Sequence, residues 1–444
     1  MLLTGCAATD HAVAPAALPL ARGDLASGEA RWPQPNWWSG YGSPEIDALI
    51  AEAHAVNADI GMALGRVEQA RGRARSAGAL LLPGVQVEGS AARSDGAASV
   101  VAERWGAQLT AAYEVDLWGR YRAGRNAARF SLLASRFDQD TVRLMVTGDV
   151  VRNYAGLMTV RDRQAIGRLN LRAARTLLAR VEAMSRVGVA LAGDVAAQHA
   201  LVAGEEADLA ALDQAEGEFR AALALLVGRQ AQGFDVAGQG LAAIAHMPAV
   251  VPGLSSDLLR RRPDIASVHA ALAAAVADAE AARTAMLPSI TLTAARGVEG
   301  GAGPSAAFYN LVAGLTQPLL DHGRLAGARD TARGVRSERE AAYRKAVLQA
   351  FSEVERDLTA ISSLDRAVAA LEVQANEAAR AAAASEARYR AGVEEITASL
   401  DAQRTLYAAR DRLAQARGNR LAASISLHQT LGGGWIAPES PSAR

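Results

Sequence analysis

The sequence predicts a mainly α-helical, internally duplicated chain that also carries β-strands open to two readings, a half-exposed sheet or a membrane β-barrel. Three observations lead there: the placement of proline, a constant offset between two halves of the chain, and stretches in which apolar and polar residues alternate. All 14 prolines fall at positions 15 to 44, at Pro83, between 248 and 318, and in the last seven residues. Proline removes a backbone donor and breaks a helix interior at a cost of about 3 kcal/mol, so the proline-free spans 84 to 247 and 319 to 437 are open to long helices. Half of the 444 residues are apolar but only 5% are aromatic. Much of the apolar share is alanine, which packs helices closely without filling a wide core.

The two halves match. Leu82-Pro83 recurs as Leu287-Pro288 and Gln198 as Gln403, both 205 residues later, while Gly119-Arg120, Arg125 and Gly188-Val189 recur as Gly323-Arg324, Arg329 and Gly392-Val393 at 204. An offset held over more than a hundred residues marks an internal duplication. Each half then reads helix, strand, strand, very long helix, helix. The boundaries we expect are an N-terminal extended segment over 1–43, a first repeat over 44–247, a second over 248–436 and a C-terminal tail over 437–444.

Strands are clearest between Trp105 and Trp118, where Trp105, Ala107, Leu109, Ala111, Tyr113, Val115 and Leu117 alternate with Gly106, Gln108, Thr110, Ala112, Glu114 and Asp116. That period of two gives one apolar and one polar face. Val85 and Val87 begin a partner strand; Ile290, Leu292 and Ala294 form a third, and Tyr309, Leu311, Ala313 and Leu315 a fourth. A half-exposed sheet on a soluble core would show the same alternation, as would a barrel whose apolar face meets lipid. No run of about 18 uninterrupted apolar residues occurs, which excludes a membrane helix at the level of sequence.

After each second strand a helix is expected to run from near Gly119 to Gly188, or from Gly323 to Gly392. Roughly 68 residues at about 1.5 Å each span about 100 Å. Phe130, Phe137, Leu144, Val151 and Met158 fall every seven positions, and Val347, Phe351, Val354, Leu358, Ile361, Leu364, Val368 and Leu371 at steps of three and four. Such spacing keeps an apolar seam toward partner helices, as in a coiled coil. Shorter helices are expected at about 44 to 79, 194 to 227, 257 to 286 and 399 to 431.

Several function classes fall away. The 47 basic and 47 acidic residues cancel, leaving no excess to neutralise a nucleic-acid backbone, so nucleic acid is not an expected partner. The seven histidines are scattered, and no HExxH, phosphate-binding loop or nucleophile elbow appears; we expect no enzyme, no metal and no dissociable cofactor. The Arg260-Arg261-Arg262 run ahead of Pro263 is read as a helix start or a set of ion pairs before it is read as an anion site.

Cys6 is the one cysteine. Leu3-Thr4-Gly5-Cys6 resembles a bacterial lipoprotein processing site, where the thiol receives diacylglycerol and the mature N-terminus palmitate, and an Ala/Pro-rich tail follows it from Ala7 to Pro19. Only five residues precede the cysteine. Since most of a signal peptide would then be missing, we expect the true start codon upstream.

Taken together, these residues resemble the TolC-like outer-membrane efflux family, in its NodT-type lipoprotein branch associated with resistance-nodulation-division pumps. The resemblance rests on Leu-Thr-Gly-Cys, on Trp37-Trp38, and on Tyr113-Glu114-Val115-Asp116-Leu117-Trp118-Gly119. It rests equally on Leu258-Leu259-Arg260-Arg261-Arg262-Pro263-Asp264-Ile265, on Met286-Leu287-Pro288, and on Arg388-Tyr389-Arg390-Ala391-Gly392 with Leu400-Asp401-Ala402-Gln403. It implies a homotrimer whose four strands per protomer close a 12-stranded barrel, continuous with an α-helical periplasmic tunnel. Lipid cannot satisfy open sheet edges, which agrees.

The function implied is the outer-membrane exit duct of a tripartite efflux pump, lipid-anchored through Cys6 and passive toward what it exports. The partners implied are a periplasmic adaptor, an inner-membrane resistance-nodulation-division pump and outer-membrane lipid. Alternatives are the duct of a type I protein secretion system and a non-channel periplasmic coiled-coil spacer. Two tight helix turns, Val187-Gly188-Val189 and Ala391-Gly392-Val393, are the expected adaptor-docking tips, because glycine permits the reversal and small apolar neighbours could meet an adaptor hairpin. The family lines its periplasmic aperture with acidic side chains; Asp401 matches one such position, while another often acidic is Ala398 here, which leaves Glu394 and Glu395 as alternatives for the gate.

Overall fold

The computed structural model describes residues 31–95, 101–244, 255–301 and 303–437. Cys6 lies outside them. The elements are α1 (Pro44–Val56), α2 (Ala58–Ala79), β1 (Gly84–Asp95), β2 (Val101–Val115), α3 (Arg120–Arg186), α4 (Ala192–Leu226), α5 (Ser255–Arg261), α6 (Pro263–Thr284), β3 (Ser289–Gly300), β4 (Ala306–Thr316), α7 (Arg324–Arg390) and α8 (Ile396–Thr430). The duplication survives at element level: α3 and α7 both have 67 residues, α4 and α8 both 35, α2 and α6 both 22.

Two helices expected to be single are broken, each for a local reason. The one expected over 44 to 79 divides at Asn57, whose backbone is extended (φ −62°, ψ 129°). Its side-chain oxygen accepts the N–H groups of Asp59 and Ile60, at 2.9 and 3.2 Å, and its amide donates to Leu226 O at 2.9 Å. That is an N-cap for α2. The one expected over 257 to 286 divides at Arg262, because the residue before a proline is disfavoured in the helical region and Pro263 has no N–H to continue α5.

Strand β2 also ends earlier than the alternation suggested. Leu117 and Trp118 continue the pattern, but Asp116 turns the chain: its carboxylate accepts Tyr121 N and Arg122 N, both at 3.0 Å, and thereby caps α3. The exclusion of membrane helices from uninterrupted runs does not hold for α6, which is long and apolar enough to cross a membrane by length and composition alone. Its apolarity is mostly alanine.

By contact the chain divides into two units, each drawing on both repeats. One comprises residues 63–139 and 264–347 among those described and holds the sheet. Its strands run in the order β1-β2-β3-β4, all antiparallel. The registers Val87 opposite Leu109, Ala111 opposite Ala294 and Ala294 opposite Leu311 put the apolar set on one face. Gln86, Glu88, Gln108, Thr110, Thr291 and Thr293 fall on the other.

The second unit comprises residues 31–62, 140–263 and 348–437 among those described. Its core packs Tyr41, Ile46 and Ile50 against Val150, Tyr154, Leu157 and Met158 of α3, with Leu223 of α4 and Ile425 of α8. Of the heptad residues expected on α3, Val151 and Met158 are fully buried, whereas Phe130 is exposed. Arg161, also buried, holds Glu216 at 3.1 Å, Val236 O at 2.9 Å and the carboxylate of Asp235.

Candidate functional site

The hairpin ends of the second unit are built by a backbone motif that the glycines make possible. Gly188 (φ 78°) and Gly392 (φ 74°) are left-handed, a conformation costing other residues roughly 1–2 kcal/mol. Gly188 N donates to Ser185 O at 3.0 Å and Val189 N to Met184 O at 2.9 Å; Gly392 N donates to Tyr389 O and Val393 N to Arg388 O, both at 3.0 Å. These bonds satisfy the last carbonyls of α3 and α7. What remains is apolar and bare: Val187, Val189 and Val393 are 74%, 66% and 76% exposed, and Ala391 is exposed too.

The two tips are joined. Tyr389 Oη donates to Met184 Sδ at 2.8 Å, and Leu177 and Val181 of α3 pack with Ile396 and Leu400 of α8, Ala190 and Tyr389 closing the cluster. Arg180 meets Glu386 at 3.6 Å.

The three candidate gate carboxylates differ in how they are held. Ser385 Oγ donates to Glu394 at 2.7 Å, and Arg388 grips both its oxygens at 3.2 Å. Those hydrogen bonds, the serine's first, hold the carboxyl below its ordinary range. Glu395 is the exposed N-cap residue of α8. Asp401 is the freest, with its side chain 76% exposed and Arg404 Nη1 at 3.7 Å one helical turn on. Asp401 and Glu394 are therefore not equivalent: one faces solvent, and the other closes its own hairpin.

In the sheet unit the apolar face is the exposed one, with Val87 at 78%, Tyr309 at 86%, Leu311 at 79% and Leu315 at 72%. A soluble sandwich would cover one of the faces. The family model described as outer membrane efflux protein matches residues 49–229 and 254–433. The chain belongs to that family. As an outer membrane efflux protein it is 39% identical over 428 residues, 92% of this chain and 89% of the relative, to the pyoverdine export outer membrane protein OpmQ of Pseudomonas aeruginosa. It is 30% identical over 422 residues, 90% and 85% respectively, to the toluene efflux pump outer membrane protein TtgF of Pseudomonas putida.

Solved structures agree. The outer-membrane channel OprN superposes with a TM-score of 0.86 at 25% identity, covering 92% of this chain and 94% of that one. The open state of the Neisseria gonorrhoeae MtrE outer membrane channel gives 0.84 at 26%, covering 94% and 96%. This efflux protein is thus an outer-membrane channel of the TolC-like fold, from a family of transport channels rather than enzymes.

Sequence reading missed the contacts that hold this channel's helices together. Gln198, noticed only as a repeat marker, is fully buried and donates to Ala174 O at 2.7 Å. Arg163 grips Asp411 through two bonds, 2.7 and 3.0 Å, and Gln415 at 2.6 Å. The Arg260-Arg261-Arg262 run dissolves into structure: Arg262 pairs with Glu353 at 2.8 Å, and Arg261 lies 4.7 Å over the Trp32 ring. None of these partners is near in sequence, so no local signal announces them.

Proposed function

We propose that this chain is the passive exit duct of a tripartite efflux pump, closed as a homotrimer around a 12-stranded barrel and exporting small molecules. The observation that carries the reading is the sheet, which among the described residues has four antiparallel strands, one apolar face, one polar face and two unpaired edges. Unpaired strand edges are not tolerated in hydrocarbon, so one protomer cannot span a bilayer; several must. Twelve strands leave a lumen where about eight are filled by side chains, and the Gln and Thr face would line it.

Export of pyoverdine and efflux of toluene, named for two relatives, supports small molecules over secreted proteins as cargo. A coiled-coil spacer would have no use for the strands. The remaining parts follow the same reading: diacylglycerol and palmitate on Cys6 anchor the N-terminus, the tips Val187-Gly188-Val189 and Ala391-Gly392-Val393 dock a periplasmic adaptor, a resistance-nodulation-division pump supplies the cargo, and Asp401 lines the aperture. Reconstituted in planar bilayers, the purified detergent-solubilised trimer should conduct ions in discrete steps. A monomer that leaves the bilayer silent overturns the duct.

A further inference from the structure

One charge interrupts the apolar face of the sheet. Arg296 stands opposite Leu109 on one side and Tyr309 on the other, so it shares the face of Val87, Leu311 and Leu315 rather than that of Gln108 and Thr293. It is exposed, as is Tyr309 at 86%. Neither the guanidinium nor the phenol hydroxyl has a hydrogen-bond or charge partner among the described residues. Arg93, on the same face near the hairpin end of β1, differs: Glu103 directly opposite meets it at 3.4 Å. Among the strand residues of that face Glu103 is also the carboxylate nearest to Arg296, three rows and roughly 20 Å along the strands away.

The same register sets the height of Arg296. Leu319, 91% exposed, lies ten residues on from Tyr309, and Trp118, 46% exposed, nine on from Leu109. At about 3.3 Å per residue and a strand tilt of about 40°, each span covers roughly 25 Å, the height of the apolar band between the aromatic girdles of a membrane barrel. Trp118 and Leu319 mark one edge of that band, beside the helices, and Tyr309 with Arg296 marks the other. Beyond it, toward the hairpin ends, the face turns small and then charged, from Gly89 and Ala107 to Arg93 and Glu103.

We propose that Arg296, with the Tyr309 hydroxyl beside it, binds the phosphate of a lipid in the outer leaflet. The inference rests on the barrel reading above, in which the hairpin ends point out of the cell. A guanidinium on a lipid-facing wall needs an anion or water. At the edge of the apolar band the anion within reach is a headgroup phosphate, and the planar fork of arginine matches two of its oxygens. Tyrosine at the same level keeps its ring in hydrocarbon and donates its O–H to a third. Leu109 and Leu311, 50% and 79% exposed, supply the apolar surface on which the acyl chains lie, so the site takes a phosphate only when it comes attached to a lipid.

The full-length chain in detergent micelles, titrated with lipid A carrying two phosphates or none, tests the site by native mass spectrometry. The parent chain should bind the bisphosphorylated lipid about tenfold more tightly than the phosphate-free one, the range of a charge-assisted hydrogen bond. Arg296→Ala should lose that preference while binding the phosphate-free lipid as the parent does, and Tyr309→Phe, which removes one neutral hydrogen bond, should lose about threefold. Arg93→Ala, whose charge is already paired, should keep the preference, and inorganic phosphate should not compete. Equal binding of the two lipids by the parent chain, a comparison that needs no substitution, overturns the site. So does an undiminished preference in Arg296→Ala, or competition by inorganic phosphate. A fall in the native mass of lipid-free Arg296→Ala also overturns it, by assigning the arginine to a protein carboxylate. A parent chain that fails to insert into lipid vesicles overturns the barrel reading itself, whereas insertion without a phosphate preference removes the site alone.

Discussion

At the scale of single residues, the candidate gate carboxylates show why charge alone does not identify a function. Glu394 spends its charge inside its own hairpin, against Ser385 and Arg388. With its folded pKa below the ordinary value, the clamp is in place above the usual carboxylate range and is lost only as pH falls through the lowered folded value. Asp401 has no such commitment; Arg404 at 3.7 Å is itself 45% exposed and screened by solvent. In a trimer, three Asp401 carboxylates around a narrow pore would attract cations. Asp401→Ala should therefore lower cation selectivity and weaken block by multivalent cations in single-channel records, whereas unchanged conductance, selectivity and block place the gate elsewhere.

At the scale of elements, the hairpin tips are separable from the helices they end. A Cβ on Gly188 or Gly392 meets nothing within 4 Å, so a side chain there disturbs only the left-handed backbone, a conformation aspartate tolerates better than most residues. Gly188→Asp and Gly392→Asp should keep trimer assembly and single-channel conductance while abolishing drug resistance in cells that depend on this duct. Normal resistance from both variants would remove the tips from adaptor docking. Helix breaks were less readable than tips. The Asn57-Ala58-Asp59 cap signal was present in the sequence, but the apolar spacing runs on through it, and the deciding contact is to Leu226, 169 residues away. Strand β2 was overextended for the same reason: Leu117 satisfies the alternation, and only the Asp116 carboxylate, bonded to α3, shows where the strand stops.

At the scale of the whole molecule, the proline map, the fixed offset and the alternating strands made the architecture legible. Each of these is a property of a long stretch, insensitive to any single residue. The site was legible only where the backbone needs a particular residue, as at the two tip glycines; the role of Glu394 depends on an arginine six positions back across the turn, and that of Met184 on Tyr389 in the other repeat. The lipid anchor proposed at Cys6 belongs to this scale too, because it would set where the protein resides. Two or more acyl chains give stable anchoring, at about 0.8 kcal/mol per buried CH₂. Cys6→Ser, expressed behind a lipoprotein signal peptide, should lose metabolic palmitate labelling that the parent chain in the same context shows; labelling that persists would assign the acyl acceptor to another residue.

The pairing of β2 with β3 also imposes an order in time. Val115 and Ile290 are partners, yet 175 residues separate them, whereas each hairpin closes over a handful. Bringing together the ends of so long a flexible loop costs on the order of 5 kcal/mol of chain entropy, and much of it vanishes once α3 and α4 have become rods. The chain therefore gains most by forming its helices and its two local hairpins first and joining the hairpins last. Until then, each hairpin displays two open edges instead of one. A fluorophore and quencher across β2 and β3 should report contact after the helical circular dichroism has developed; contact that precedes the helices would reverse that order.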